Sequence, residues 1–251
     1  MGNIGDLTGK RVLVTGASSG IGRAAAILIS ELGGKVIAVG REESTLKKTI
    51  DSLTGDGHQH NVFDLSEAEL IPKWMQEIAN DGRLDGLVHM AGIHGAKPLR
   101  VSEVDFVNEL MAINVGSALQ LARGFRHKKV RAATSSIVFA SSIAAMIGES
   151  GISAYSATKG AIISISQSLA SELCSEGVRV NCISPSFVKT EFTKEFFSNL
   201  TPDQLSKLEK EHPLGFGEPE DVAPLIAFLI SDSSRWMTGS NVVIDGGYST
   251  K

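Results

Sequence analysis

Along the chain, short runs of successive apolar residues alternate with longer stretches in which apolar residues recur every three or four positions. Residues 11–15 (RVLVT), 35–40 (KVIAVG), 84–92 (LDGLVHMAG), 136–141 (SIVFAS), 178–184 (VRVNCIS) and 241–245 (NVVID) show the first pattern. They are rich in Val and Ile and too short for helices, which predicts strands covered on both faces, as in a central parallel sheet. A weaker run at 58–63 makes seven. Helical period marks residues 21–32, 43–53, 67–80, 103–125, 154–175 and 220–231. Strands and helices in turn imply an α/β, doubly wound parallel seven-stranded sheet with right-handed crossovers.

No linker or repeat interrupts residues 1–251, so one domain is expected. Residues 191–213 stand outside the alternation and place Phe192, Phe196, Phe197, Leu200, Leu205 and Leu208 on apolar faces of one or two short helices. They read equally as a hairpin packed on the domain or as a lid over a pocket.

Composition narrows the classes of function. The formal charge of -4 supplies no excess of cations for a nucleic-acid backbone. The uncharged stretch 132–148 is interrupted by Thr134, Ser135, Ser136, Ser141 and Ser142, which argues against a membrane span. Cys174 and Cys182 form no CxxC pair, and the opening MGNIGDLTGKR lacks an apolar signal core, so a reduced, cytoplasmic protein is expected. His58 and His60 share a strand face without a third ligand, so no metal is expected. Glycine is over-represented, with 26 residues, so backbone freedom is needed somewhere.

Three of those glycines lie in Thr15-Gly16-Ala17-Ser18-Ser19-Gly20-Ile21-Gly22, between the first strand and the first helix. There Gly16 suits a tight turn, Gly20 lets backbone approach a pyrophosphate, and Gly22 lets helix pack on strand. The helix N-terminus would then hold the phosphates. A carboxylate about 20 residues beyond would select NAD, whereas a basic residue would select NADP. The second strand ends Val39-Gly40-Arg41, so the arginine favours NADP(H) over NAD(H), although Glu42 and Glu43 adjoin it. Asp64 either bonds an adenine amino group or caps the next helix with Ser66.

Tyr155 and Lys159, four residues apart, share a helix face. A phenol with a reference pKa of about 10 becomes a better acid-base beside a cation. Ser142 follows a buried strand thirteen residues before Tyr155, where its hydroxyl can reach a carbonyl, and Asn114 needs a polar partner if buried.

In order and spacing, TGASSGIG, the strand-ending MAG, Asn114-Val115, Ser142, Tyr155-xxx-Lys159, Asn181 with Pro185, and Asp245-Gly246-Gly247 resemble the short-chain dehydrogenase/reductase family over nearly the whole chain. That resemblance implies a Rossmann fold and an oxidoreductase passing hydride between nicotinamide and a carbonyl or secondary alcohol. Tyr155 is implied as the general acid or base and Ser142 as the group polarising the carbonyl. Lys159 is implied to lower the phenol pKa and contact the nicotinamide ribose, with Asn114 holding a relay water. Gly16, Ser18, Ser19, Gly20, Ile21, Gly22, Arg41, Asp64, Leu65, Ala91, Gly92, Pro185, Val188 and Thr190 are implied to bind the cofactor together with Tyr155 and Lys159.

The chain departs from the family at His89-Met90, where Asn-Asn is frequent, at Ser186, where glycine is frequent, and at Pro213–Pro219, where one residue is missing. General similarity runs to 3-oxoacyl-[acyl-carrier-protein] reductase-like members, implying a small-molecule substrate that is carrier-bound or free. The basic cluster Arg123, Arg126, His127, Lys128, Lys129 and Arg131 is either a solvated loop or a carrier-docking patch. Glu176, where a further basic residue is expected, counts against docking. Sugars, polyols and steroid-like ketones are alternative substrates, and a non-catalytic NADP sensor or scaffold is the rival of another class. The helices at 103–125 and 154–175 are implied as a homotetramer interface.

Overall fold

The computed structural model describes residues 5–250, so residues 1–4 and 251 of the expected domain lie outside the described residues. Seven parallel strands form one sheet: β1 (Arg11–Thr15), β2 (Lys35–Gly40), β3 (Gln59–Val62), β4 (Leu84–His89), β5 (Arg131–Ala140), β6 (Val178–Pro185) and β7 (Asn241–Ile244). Their spatial order is β3-β2-β1-β4-β5-β6-β7. Helices cover both faces: α1 (Gly20–Glu31), α2 (Glu43–Ile50), α3 (Ile71–Ile78), α4 (Val104–Met111), α5 (Ser117–Phe125), α6 (Ser153–Leu173), α7 (Glu191–Ser198), α8 (Pro202–Lys210) and α9 (Pro219–Ile230).

Strand side chains point alternately to the two faces and so feed two cores. Leu13, Ile37, Leu87, Ile137, Phe139 and Val180 face α3, α5 and α6, while Val12, Val14, Val36, Ala38, Val88 and Val138 face α1 and α9. All are buried, and each larger side chain contributes about 1.5–3 kcal/mol by leaving water. The connections reverse at β1 and β4, so a crevice opens beyond the carboxyl ends of those strands.

The expected boundaries shift for local reasons. α3 starts at Ile71, later than position 67, because Pro72 has no N–H to bond the Ala68 carbonyl and so is tolerated only in the first helical turn. β4 stops at His89, and Ala91 N–H instead donates to the Thr15 hydroxyl (3.4 Å). β5 starts at Arg131, where no apolar pattern announces a strand. Pairing of Leu84 with Arg131 and of Ser135 with Val178 draws this polar segment into the sheet. The helix expected over 103–125 contains a π turn, Ala112–Gly116, that separates α4 from α5. Residues 191–213 form α7 and α8, the latter started by a capping box in which Thr201 and Gln204 bond each other's backbone. Among the described residues no helix is long and apolar enough to cross a membrane.

Candidate active site

The crevice beyond β1 and β4 holds a cleft of about 350 Å³. One end is built by the β1–α1 turn. Gly16 has φ +67°, and a Cβ there would sit 2.8 Å from Ala91 N, while a Cβ on Gly22 would overlap the Gly16 carbonyl. Ser18, Ser19, Ile21 and both glycines line the cleft, whereas Gly20 faces an adjoining hollow. Ser19 precedes α1 without a side-chain capping bond, and the first turn carries no acidic residue. Its free N–H groups and positive dipole end therefore fit phosphate.

At the same end lie Arg41, exposed just past β2, and Asp64 and Leu65 after β3. Asp64 accepts from Ser66 N–H (2.9 Å) in a local turn and caps no helix, since α3 starts only at Ile71 after Leu70. That bond, with Arg41 as a weaker influence, holds its carboxyl below the usual range. Phe63, stacked on Trp74 at 4.1 Å, adds an aromatic wall the sequence pattern did not single out. Together these groups have the chemistry that could hold a dinucleotide.

Ala91, Gly92, Ser142, Tyr155, Lys159, Pro185 and Thr190 also line the cleft. Tyr155 and Lys159 meet because α6 spaces them one turn apart, with the lysine nitrogen 5.6 Å from the phenol ring centre. The buried ammonium donates to the Ala140 carbonyl (3.0 Å) at the end of β5. Burial lowers its pKa to about 8. The same burial raises the Tyr155 phenol to about 12, opposed by a hydrogen bond with Ser142. The expectation that Lys159 lowers the phenol pKa therefore does not describe this state, because desolvation dominates. Ser142 Oγ accepts from Ala144 N–H (3.2 Å), which fixes the hydroxyl at the mouth of β5.

Asn114 and Val188 do not line the cleft. The π turn carries Asn114 inward, where its amide nitrogen donates to Ile93 O (2.9 Å) and Thr158 Oγ1 (3.1 Å), and its oxygen accepts from Ile93 N–H (2.8 Å). Both amide hydrogens are engaged by protein, so the side chain braces the segment after β4, the satisfied reading of a buried asparagine. Val188 is buried and bridges Gly217, and its carbonyl accepts from Thr193 Oγ1 (2.6 Å).

Other residues enter only through space. The buried His89 ring ties β4 to β1 and α5. Ser117 donates to Ile113 O, so its oxygen accepts His89 Nε2–H (3.2 Å), and His89 Nδ1 accepts the Thr15 hydroxyl (2.7 Å). Burial and, less strongly, Lys159 lower this imidazole to about 3. His94 packs edgewise on Tyr155 (4.8 Å) and Phe192 (5.8 Å). The two histidines do not share a strand face: His58 precedes β3 and accepts from Val36 N–H (3.1 Å), while His60, in β3, lies 3.7 Å from Glu43.

In comparison with known proteins, the family model described as Enoyl-(Acyl carrier protein) reductase matches residues 16–249. The chain is 35% identical over 244 residues to 3-oxoacyl-[acyl-carrier-protein] reductase FabG of Rickettsia prowazekii, covering 96% of this chain and 98% of that protein. A short-chain type dehydrogenase/reductase from Mycobacterium marinum superposes with a TM-score of 0.90 at 28% identity, covering 99% of both chains. A gluconate 5-dehydrogenase from Burkholderia cenocepacia, solved with NADP and tartrate, superposes with a TM-score of 0.91 at 25% identity, covering 99% of this chain and 98% of that one. The fold is thus that of a nicotinamide-dependent oxidoreductase acting on carbonyl or CH–OH groups. The chain belongs to the short-chain dehydrogenase/reductase family.

Proposed function

We infer that the protein is an NADP(H)-dependent reductase or dehydrogenase that interconverts a small-molecule carbonyl and its secondary alcohol. The observation that carries this reading is convergence: Ser142, Tyr155 and Lys159 share one cleft with the uncapped α1 N-terminus and Arg41.

The cradle residues would hold the dinucleotide, with α1 taking phosphates and Arg41 the 2′-phosphate. A bound nicotinamide supplies or accepts the hydride. Ser142 holds the reacting oxygen by a hydrogen bond. Tyr155, which keeps its proton at neutral pH, gives it to that oxygen in reduction and takes it back in oxidation. Lys159, a cation below about pH 8, steadies the phenolate left behind and offers hydrogen bonds to a ribose. Asn114 keeps Ile93 and Thr158 in place around them.

Residues 191–213, together with 143–152, are read as the substrate-selecting rim, with α7 and α8 acting as a lid. A carrier-bound acyl thioester is the less favoured substrate. Arg126 pairs with Glu172 (3.1 Å) and Glu176 (2.6 Å), and Arg131 pairs with Glu176 (3.0 Å), so two arginines of the basic cluster are already neutralised. A homotetramer and a cytoplasmic location complete the reading.

The test is NADPH consumption against acyl thioesters, keto sugars and cyclic ketones, with NADPH and NADH binding titrated separately. Tyr155→Phe should bind NADPH as the wild type does yet lose about two to four orders of magnitude in turnover. Arg41→Ala should weaken NADPH while sparing NADH. Retained turnover in the first variant, or equal losses in the second, refutes the assigned role.

A further inference from the structure

Ser186 follows Pro185 at the end of β6 and lines the same cleft as Ser142 and Tyr155. Its hydroxyl lies 2.7 Å from Nε2 of His212, a buried residue 26 positions later. His212 Nδ1 is 2.9 Å from the Leu208 carbonyl in the last turn of α8. A carbonyl only accepts, so Nδ1 carries the ring hydrogen, and in a neutral imidazole Nε2 is a lone pair. The Ser186 O–H must therefore donate to His212, which leaves its oxygen an acceptor toward the cleft. An ordinary serine would rotate to suit either role.

The histidine is itself held in register. Tyr248 stacks on it at 4.4 Å, and the rings of Phe216 and Phe187 meet it edgewise at 5.1 and 5.8 Å. The Tyr248 hydroxyl donates to Glu149 (2.8 Å) in the loop after β5.

We propose that Ser186, with its proton tied to His212, is a fixed hydrogen-bond acceptor for an N–H or O–H group on the molecule bound at the Tyr155 end of the cleft. Two sources supply that chemistry: the carboxamide nitrogen of a nicotinamide, or a second hydroxyl of a polyol substrate. His212 is the positioning residue. The proposal rests on the cleft holding a nicotinamide dinucleotide, and it explains why a serine, where relatives tend to have glycine, sits opposite a buried histidine.

Calorimetric binding of NADPH and of its 3-acetylpyridine analogue, which lacks the carboxamide N–H, separates the sources. If the carboxamide is the partner, Ser186→Ala weakens NADPH about three- to tenfold and leaves the analogue unchanged. If a substrate hydroxyl is the partner, both dinucleotides bind as before, while kcat/KM falls for a vicinal diol and not for the matching mono-alcohol. His212→Phe keeps the ring packing but removes the acceptor, so it should reproduce the Ser186→Ala pattern. His212→Gln can accept from Ser186 and donate to Leu208, so it should restore the wild-type pattern. Equal losses for NADPH and its analogue, equal losses for diol and mono-alcohol, or no change in any arm would reduce the pair to a strut and overturn the proposal. Should His212→Phe fail to fold, Ser186→Ala decides alone. Failure of the wild type to bind NADPH would instead refute the cofactor reading.

Discussion

Lys159 shows what the site demands of a single residue. Its ammonium is buried against the Ala140 carbonyl, and desolvation brings its pKa from 10.5 to about 8. The folded value lies below the unfolded one, so burial of the cation opposes folding fully below about pH 8, and this opposition fades as pH rises to about 10.5. Relative to Lys159→Met, the wild type should gain roughly 3 kcal/mol of stability across that window. Denaturant unfolding at a series of pH values checks this, and a pH-independent difference would show that the lysine is not desolvated. His89 works at the other extreme. Its pKa of about 3 means the unfolded chain takes up a proton between about pH 6.5 and 3 that the folded chain refuses, so stability falls as pH falls through that range. His89→Asn should lose less stability on acidification than the wild type.

At the scale of elements, β1 and β2 were the most legible because Val12 to Val14 and Val36 to Val39 are buried on both faces and apolar at every position, while β4 and β6 keep shorter apolar runs among Asp85, His89, Arg179, Asn181 and Ser184. The start of β5 was not legible, since Arg131 to Ser135 owe their strand form to neighbours on either side. Nor was the π turn, because one extra residue per turn leaves no mark on a pattern of spacing. Tyr155 and Lys159 could be paired from sequence because one helix spaces them. The contacts of His94 with Tyr155 and Phe192 and the Ser186–His212 bond could not, because they join segments far apart in sequence. The π turn invites its own test. Asn114→Ala would leave the Ile93 backbone and the Thr158 hydroxyl short of partners, which should cost about 1–3 kcal/mol of stability. A thermal midpoint equal to the wild type's would rule out the brace.

At the scale of the whole molecule, several large apolar side chains are exposed. Val104, Met111 and Leu119 recur along α4, the π turn and α5, with Val104 at 72% exposure, and elsewhere Leu214 and Trp236 are 86% and 93% exposed. Val104, Met111 and Leu119 lie on the helices of the proposed homotetramer and would serve one of its contacts. Light scattering should accordingly give about four times the 26.6 kDa chain mass, and Val104→Glu with Leu119→Glu should give a smaller particle. An unchanged mass in the double variant would move the interface elsewhere. The reversal of connections between β1 and β4 has a further effect. In the proposed reading the turns after β1, β2 and β3 would hold the adenosine and phosphate end of the dinucleotide, while the segments after β5 and β6 would meet both its nicotinamide end and the substrate. His212 and Thr193 tie the 191–213 segment back to Ser186, Val188 and Thr190, so a graft aimed at new substrates has to keep these two residues if the coenzyme grip is to survive it.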